Sequence, residues 1–319
     1  ARTVTTTDDP NDVMHAVSMF GSALKTMTSE RSYPTLRGHP PALKLGEELT
    51  IPSGLEQPET GIQVEVPPTL QHIFVVVPLA YYLGAEVVPG SKPRIVTDSG
   101  YTHTLDGKKG FESAVKHSLK QIFFLDCIVR TEGMTPIPLY ERETIESFLE
   151  FDIESVYDCS ISEQLEIYFN IPQSVLKPYM PEWRLDTQLE PTVNTIEFLP
   201  FVTSRLSTIS ILDEETKPPT SIPGHVDAIS EFTRNGQLGN ANSVRSSDST
   251  PESTDALASS TIRQVWTSEN SSEIISTTPL SAFQNGVCRS PREDPIEIKV
   301  ICNDSVMSGE LDSVDGTYG

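Results

Sequence analysis

The chain has 319 residues, of which 45 are acidic and 23 are basic, so its formal net charge at pH 7 is −22. A surface with this excess of carboxylates repels nucleic acid phosphates and anionic lipids, and the sequence has no basic patch that would offset the repulsion. No apolar run approaches the roughly 20 residues that span a bilayer, and no secretion signal is present. We therefore expect a cytoplasmic protein that binds neither nucleic acid nor membrane.

The acidic residues are distributed from Asp8 to Asp315, and lysine is scarcer than arginine. This composition is typical of proteins adapted to high salt, where screening suppresses the self-repulsion of a highly charged chain. We expect a halophilic protein. An ordinary acidic cytosolic protein with a charged tail is the alternative.

The first 61 residues predict one helix followed by a proline-rich connector. Cap-type residues precede an amphipathic segment, which favours a helix from about 11 to 26. Residues 31–41 contain three prolines and a glycine after Arg31, which indicates an ordered connector that lies against another element. We interpret His39, between a glycine and a proline in this connector, as a structural loop residue. Residues 43–49 alternate between apolar and polar, as a half-buried strand does.

Residues 62–212 predict an α/β or α+β core domain, in which a mixed sheet is covered by helices. The central strand is expected at 73–77, a continuous β-branched and aromatic run typical of a strand covered on both faces. A short helix with Pro78 in its first turn would follow at 78–84. A long helix at 111–130 has apolar residues at three- and four-residue steps and would cover the sheet. The other predicted elements are helices at 141–150, 160–169 and 196–206, and strands at 61–66, 85–88, 94–97, 101–105, 183–189 and 207–212.

The composition changes after residue 212. Residues 241–260 include nine serines and threonines and almost no apolar side chains, so burial cannot offset their ordering entropy. We predict a Ser/Thr-rich, disordered linker over 213–294. Residues 295–302 then alternate and become apolar, which predicts a further strand, and 295–319 would be the start of a second, truncated α/β module.

No motif for a cofactor, a metal or a nucleophile emerges. The four cysteines form no CxxC pair and show no repeated spacing, so the sequence predicts neither a zinc site nor a disulfide framework. Residues 89–92 match neither a P-loop nor a dinucleotide fingerprint. His103, His117 and the pair Asp126–Cys127 could be interpreted as a cysteine-protease dyad or a metal site. Cys127 lies on or beside the apolar face of the long helix, however, which indicates a packed thiol. We expect no catalytic residue, no metal and no cofactor.

Four phrases are similar to proteins of halophilic archaea that carry a C-terminal CHAT domain, a caspase-like peptidase-fold module. They are residues 31–41 (RSYPTLRGHPP), 78–85 (PLAYYLGA), 123–133 (FFLDCIVRTEG) and 300–304 (VICND). The resemblance covers about 30–212 and 295–319, and it implies that the His and Cys of the peptidase-like site would follow the strand at 296–303. The sequence ends before either residue. The resemblance therefore implies an N-terminal region that is cut off before the catalytic part.

Two functions remain open at this stage. The first is a non-enzymatic regulatory or protein-interaction region, whose partner would be another protein or the missing C-terminal module. The second is a small-molecule-binding α/β domain or enzyme with a site at the carboxyl end of the strand at 73–77. Tyr81, Tyr82 and Asp98 would form that site, since open α/β sheets bind ligands at such strand ends.

Overall fold

The computed structural model describes residues 2–134, 136–212, 261–267 and 273–279, which all belong to one unit of the chain, Ala1–Leu280. Their fold is α/β, with mixed sheets covered by helices, as the sequence predicts. The α-helices are α1 (Pro10–Ser18), α2 (Leu70–Leu83), α3 (Phe111–Val129), α4 (Tyr140–Ile145), α5 (Ile153–Tyr157), α6 (Ile161–Asn170), α7 (Gln173–Leu176) and α8 (Leu199–Ser204). The strands are β1 (Thr3–Thr6), β2 (Ala42–Leu45), β3 (Ile62–Val66), β4 (Glu86–Pro89), β5 (Arg94–Thr97), β6 (Thr102–Thr104), β7 (Leu185–Leu189), β8 (Thr208–Ile211), β9 (Thr261–Thr267) and β10 (Glu273–Pro279).

A strand–helix–strand unit occurs three times in the described chain. In β1–α1–β2 and β3–α2–β4, the helix connects two parallel strands. In the third unit, a 3₁₀ helix over Val193–Phe198 and then α8 connect the parallel strands β7 and β8. The helix N-cap is in each case the third residue after the first strand, namely Asp9, Thr69 and Thr192. The side chains of Asp9 and Thr69 each accept a hydrogen bond from a backbone N–H of the first turn, which would otherwise lack a partner. At Thr192 it is the backbone carbonyl that accepts the N–H of Thr195 (3.1 Å).

The second and third units carry two further strands in the same arrangement. β5 pairs antiparallel with β3 and β6 with β5, while β9 pairs antiparallel with β7 and β10 with β9. The two sheets therefore have the equivalent orders β4-β3-β5-β6 and β8-β7-β9-β10. In the first unit, Thr50 occupies the place of the third strand and exchanges two backbone hydrogen bonds with Thr5. Pro52 has no N–H and prevents the next bond of that ladder.

The three units contact one another in a closed cycle. α1 lies against β4 of the second unit, where the N–H of Val87 donates to Ser18 Oγ (2.8 Å). α2 lies against β8 of the third unit. The 3₁₀ helix of the third unit lies against β2 of the first, where the N–H of Leu45 donates to Glu197 Oε1 (3.1 Å). The helix of each unit thus covers the sheet of the next.

Helix α2 corrects the expectation of a central strand. Residues 73–77, predicted as that strand, and 78–84, predicted as a separate short helix, form one helix of 14 residues with Pro78 in its interior. All residues from Ile73 to Leu83 are buried, since the helix is enclosed by α1, α3, α8 and two sheets. A helix that is buried on every side is apolar on every side, so its sequence shows no helical periodicity. Gly84 ends the helix in the left-handed conformation (φ 60°).

Most of the other expected elements are confirmed within a few residues. β3, β5, β8, α3 and α6 lie where the sequence predicts them, and the first predicted helix continues past α1 as a 3₁₀ helix to Ala23. Residues 1–61, predicted as a separate region, supply the first of the three units. β9 and β10 lie inside the predicted linker at 213–294, because pairing with β7 and the burial of Ile262 and Val265 provide the contacts that composition did not indicate. The rest of that linker, and the strand predicted at 295–302, lie outside the described residues.

Candidate functional site

Tyr81 and Tyr82, two residues of the predicted small-molecule site, lie in the core. Tyr81 is buried, and its hydroxyl donates to the carbonyl of Gly38 (2.6 Å). Burial raises the pKa of Tyr81 to about 12. Tyr82 is also buried, and its hydroxyl donates to Asp126 Oδ2 (2.7 Å). The two hydroxyls therefore link α2 by hydrogen bonds to the connector and to α3.

The third predicted site residue, Asp98, lies elsewhere. It is exposed in the turn after β5, where its N–H donates to the carbonyl of Gly61 (2.8 Å). The strand end that would bring it to the tyrosines does not exist, since residues 73–77 are helical. The ligand site was predicted on the premise of a strand at 73–77, and the structure replaces that strand by part of α2.

Asp126 on α3 is the centre of a buried polar cluster. Its carboxylate accepts hydrogen bonds from Tyr82, from the hydroxyl of Tyr168 (3.1 Å) and from Arg31 Nη2 (3.0 Å to Oδ1 and 2.9 Å to Oδ2). The side chains of Arg31 and Asp126 are both fully buried. Arg31 also donates through Nη1 to the carbonyl of Met27 (2.9 Å). The cluster joins the connector, α2, α3 and α6.

Burial and charge pairing act in opposite directions on the pKa of Asp126. Burial raises the pKa of Asp126 to about 6, although Arg31 and the two tyrosine hydroxyls favour the carboxylate and oppose the shift. Asp126 is therefore ionised at neutral pH and compensates the charge of Arg31. The pKa of Tyr82 lies well above its usual value because of burial and the nearby carboxylate. A buried cluster of paired charges and hydrogen bonds of this kind fixes the position of the segments that it joins.

Two further arginines hold the connector at residues 31–41 against α3. Arg37 donates to the carbonyl of Ser32 (2.8 Å), and its guanidinium lies 5.8 Å from the ring centroid of Phe123. Arg130 donates to Ser32 Oγ (3.0 Å), and its guanidinium lies 3.9 Å from the ring centroid of Tyr33. These cation–π contacts add to the stabilisation that the ion pair between Arg31 and Asp126 gives the connector. The prediction that the connector is ordered and lies against another element is confirmed.

Cys127 has the properties of a packed thiol. Burial raises its pKa to about 11, and the carboxylate of Asp126 acts in the same direction. Arg130, Ser32 and Arg37 favour the thiolate but do not overcome the burial. Among the described groups that influence this thiol there is no histidine that could act as its base. This environment stabilises the protonated, unreactive form.

Asp98 contributes to an open, acidic depression of about 510 Å³ beside β3 and β5. It is lined by Gln57, Pro58, Glu59, Thr60, Gly61, Ile62, Gln63, Glu86, Val96, Thr97 and Asp98. The carboxylate of Glu86 accepts a hydrogen bond from Gln63 Nε2 (3.0 Å). Within the described residues, no group of three or more His, Cys, Asp or Glu side chains is arranged to hold a metal ion.

His103 is held in its neutral form beside α3. Its ring stacks on Phe169 with the centroids 3.6 Å apart and an interplanar angle of 8°, and a ring nitrogen lies 3.4 Å from Ser118 Oγ. Burial lowers the pKa of His103 to about 4, and the charge of nearby His117 contributes to the shift. The stacking joins β6 to α6, and the contact with Ser118 joins β6 to α3.

Among the described residues, the most exposed large apolar side chains lie between α3 and α5, in residues 133–150, which we call the arm. Met134 is 88% exposed, Tyr140 76%, Phe148 56% and Ile137 50%. The ring of Phe148 lies near that of Tyr179, with the centroids 6.3 Å apart and an interplanar angle of 33°. Sequence reasoning did not identify the arm, although the alternation of large apolar residues with glutamates around α4 is a visible signal.

The arm supplies most of the lining of a depression of about 290 Å³ beside α4. It is lined by Thr131, Pro136, Ile137, Pro138, Leu139, Arg142, Glu143 and Glu146. Arg142 forms ion pairs with Glu132 and Glu146 and donates to Thr131. The positive charge of Arg142 is therefore already compensated by Glu132 and Glu146.

Comparisons with other proteins give no family for this chain. No protein-family model, curated protein or solved structure matches it. Within the described residues, none of the helices is both long and apolar enough to cross a membrane.

Proposed function

We propose that this chain is a non-enzymatic protein-interaction region that binds a partner protein through the arm. The observation that supports the proposal is the exposure of Met134, Ile137, Tyr140 and Phe148 within one short segment, in which Ile137 also lines the depression beside α4. Contiguous exposed apolar side chains in a folded protein mark interaction surfaces. Methionine and aromatic residues are also enriched in the cores of protein–protein interfaces.

The wider setting of this function follows from the resemblance of residues 31–41 and 123–133 to haloarchaeal CHAT-type proteins. We propose on that basis that the chain is the N-terminal regulatory region of such a protein and acts in a halophilic cytoplasm. The contacts between these two phrases, through Arg31, Arg37 and Arg130, support a shared structural role for them.

The interaction is tested by selecting peptides from a random display library on the native chain. Each selected peptide is then measured on a variant with Met134→Ser, Ile137→Ser, Tyr140→Ser and Phe148→Ser. All four side chains are exposed, so we expect the variant to keep its native circular dichroism spectrum. We expect most selected peptides to lose binding to the variant and to retain binding to the control Ile51→Ser, which removes an exposed apolar side chain outside the arm. Peptides that bind the native chain and the arm variant equally would contradict the proposal.

A further inference from the structure

We infer that the partner of the arm presents a basic, amphipathic segment, in which apolar side chains alternate with lysine or arginine. This inference rests on the proposed function, because it specifies the chemistry of the ligand at the same surface. The apolar part of the segment would enter the depression beside α4, and its cations would pair with the glutamates around it.

The charge of the arm supports this choice of partner. Residues 132–150 contain five glutamates and one arginine. Two of the glutamates are engaged by Arg142. The carboxylates of Glu141, Glu143 and Glu150 are exposed and form no ion pair within the described residues. Charge complementarity therefore favours a cationic partner, and such complementarity determines which partners an interface accepts.

The shape of the arm supports an extended or helical segment that places one face on it. The lining of the depression of about 290 Å³ combines the apolar stretch 136–139 with Glu143, Glu146 and the already paired Arg142. One or two large apolar side chains can enter a depression of this size. An amphipathic helix that docks its apolar face and keeps its charges at the rim matches this layout.

The same charge argues against the other possible occupants. A second copy of the chain would bring an identical acidic arm to a two-fold contact, where like charges repel. Residues 213–260 and 280–319 of the chain itself are both net acidic. Nucleic acids and anionic membranes are repelled for the same reason.

Binding is measured by fluorescence anisotropy with three labelled amphipathic peptides of about 14 residues, a length that forms a helix readily when it docks. The peptides combine leucine with lysine, with serine or with glutamate. The charge variant is Glu141→Gln/Glu143→Gln/Glu150→Gln. Its matched control, Glu47→Gln/Glu48→Gln/Glu56→Gln, makes the same charge change at exposed positions outside the arm. All measurements use the lowest salt at which circular dichroism shows the native spectrum.

We expect the leucine–lysine peptide to bind most tightly. We expect the fourfold serine variant of the arm to weaken that binding at least about tenfold, since apolar anchors dominate interfaces. The charge variant should weaken it about tenfold, and its control by less than about twofold. Equal losses in the charge variant and its control would show bulk attraction and overturn the inference. If the serine or glutamate peptide binds the arm best, the proposed function stands and the inference fails, whereas binding that never depends on the arm contradicts both.

Discussion

At the level of single residues, Asp126 is the side chain whose substitution we expect to be most damaging. Asp126→Asn removes the charge that compensates Arg31 in the interior. An unpaired buried guanidinium lowers the free energy of unfolding by about 3–5 kcal/mol. Urea denaturation followed by circular dichroism measures the loss. The matched control Asp106→Asn changes an exposed carboxylate and should cost less than about 0.5 kcal/mol; comparable losses in the two variants would refute a buried ion pair.

Cys127 tests the proposal that the chain is non-enzymatic. Its pKa of about 11, compared with the ordinary 9.0, leaves about a hundredfold less thiolate at pH 8 than in an exposed cysteine. We expect iodoacetamide to label Cys127 much more slowly in the native chain than in the urea-unfolded chain, as followed by peptide mass spectrometry. A fluorogenic peptide library should show no turnover. Rapid native labelling, together with turnover that disappears in Cys127→Ala, would identify this thiol as a nucleophile.

His103 gives the stability a defined pH dependence. Its folded pKa of about 4 lies below the unfolded value near 6.5, so the unfolded chain takes up the proton first as the pH falls. The stability contributed by neutral His103 is present above pH 6.5 and is lost as the pH falls towards 4. Asp126, whose folded pKa is raised, contributes in the opposite direction over an overlapping range.

The variant His103→Phe isolates this contribution, because it retains an aromatic partner for Phe169 and leaves Asp126 unchanged. We expect the free energy of unfolding of the native chain, relative to the variant, to be larger at pH 7.5 than at pH 5. Urea titrations at the two pH values measure this difference. The same difference at both values would show that His103 titrates normally in the folded chain.

At the level of elements, the end of α2 depends on Gly84. Its φ of 60° is unfavourable for other residues, and an added Cβ would lie 2.9 Å from Pro58 Cγ and 3.1 Å from Thr60 Cγ2. Gly84→Ala should therefore cost about 1–2 kcal/mol for the left-handed conformation and more for the clash. Gly100→Ala, at φ 85° with nothing within 4 Å of its Cβ, should carry the conformational cost alone. Thermal denaturation of both variants compares the two, and an equal loss would exclude close packing at the end of α2.

The sequence predicts the elements whose two faces differ. α3 has one apolar and one polar face, and β3 alternates, so both are visible as periodic patterns. α2 is not visible as a helix because burial on every side removes its periodicity, and its β-branched run then has the properties of a strand. The repeated unit has a different sequence signal, an N-cap residue three positions after the first strand, which periodicity alone does not detect. The clearest pair of such signals is Pro68–Thr69 and Pro191–Thr192.

The candidate site could not be predicted for a related reason. The sequence places Tyr81, Tyr82 and Asp98 together at the end of a predicted strand, and that strand is part of the helix α2. The pairing of Arg31 with Asp126 joins residues 95 positions apart and depends on tertiary packing. The exposure of Met134 and Tyr140 depends in the same way on which faces the fold leaves uncovered.

For the whole molecule, the net charge of −22 predicts a strong response to salt. Screening reduces the self-repulsion of the carboxylates, so we expect the melting temperature to rise between about 0.1 M and molar potassium chloride. The rise should exceed the effect of screening a few exposed ion pairs, which is a few tenths of a kcal/mol each. Differential scanning calorimetry at constant pH measures it. A constant melting temperature over this range would rule out adaptation to high salt.

For the whole molecule, we propose that a partner binds at one surface, the arm. Hydrogen–deuterium exchange of the native chain with and without the leucine–lysine peptide tests this claim most directly. We predict that the peptide slows amide exchange within residues 133–150 and leaves α2 and the acidic depression at residues 57–63 unchanged. Protection at the acidic depression, or protection that is not localised to the arm, would contradict the claim.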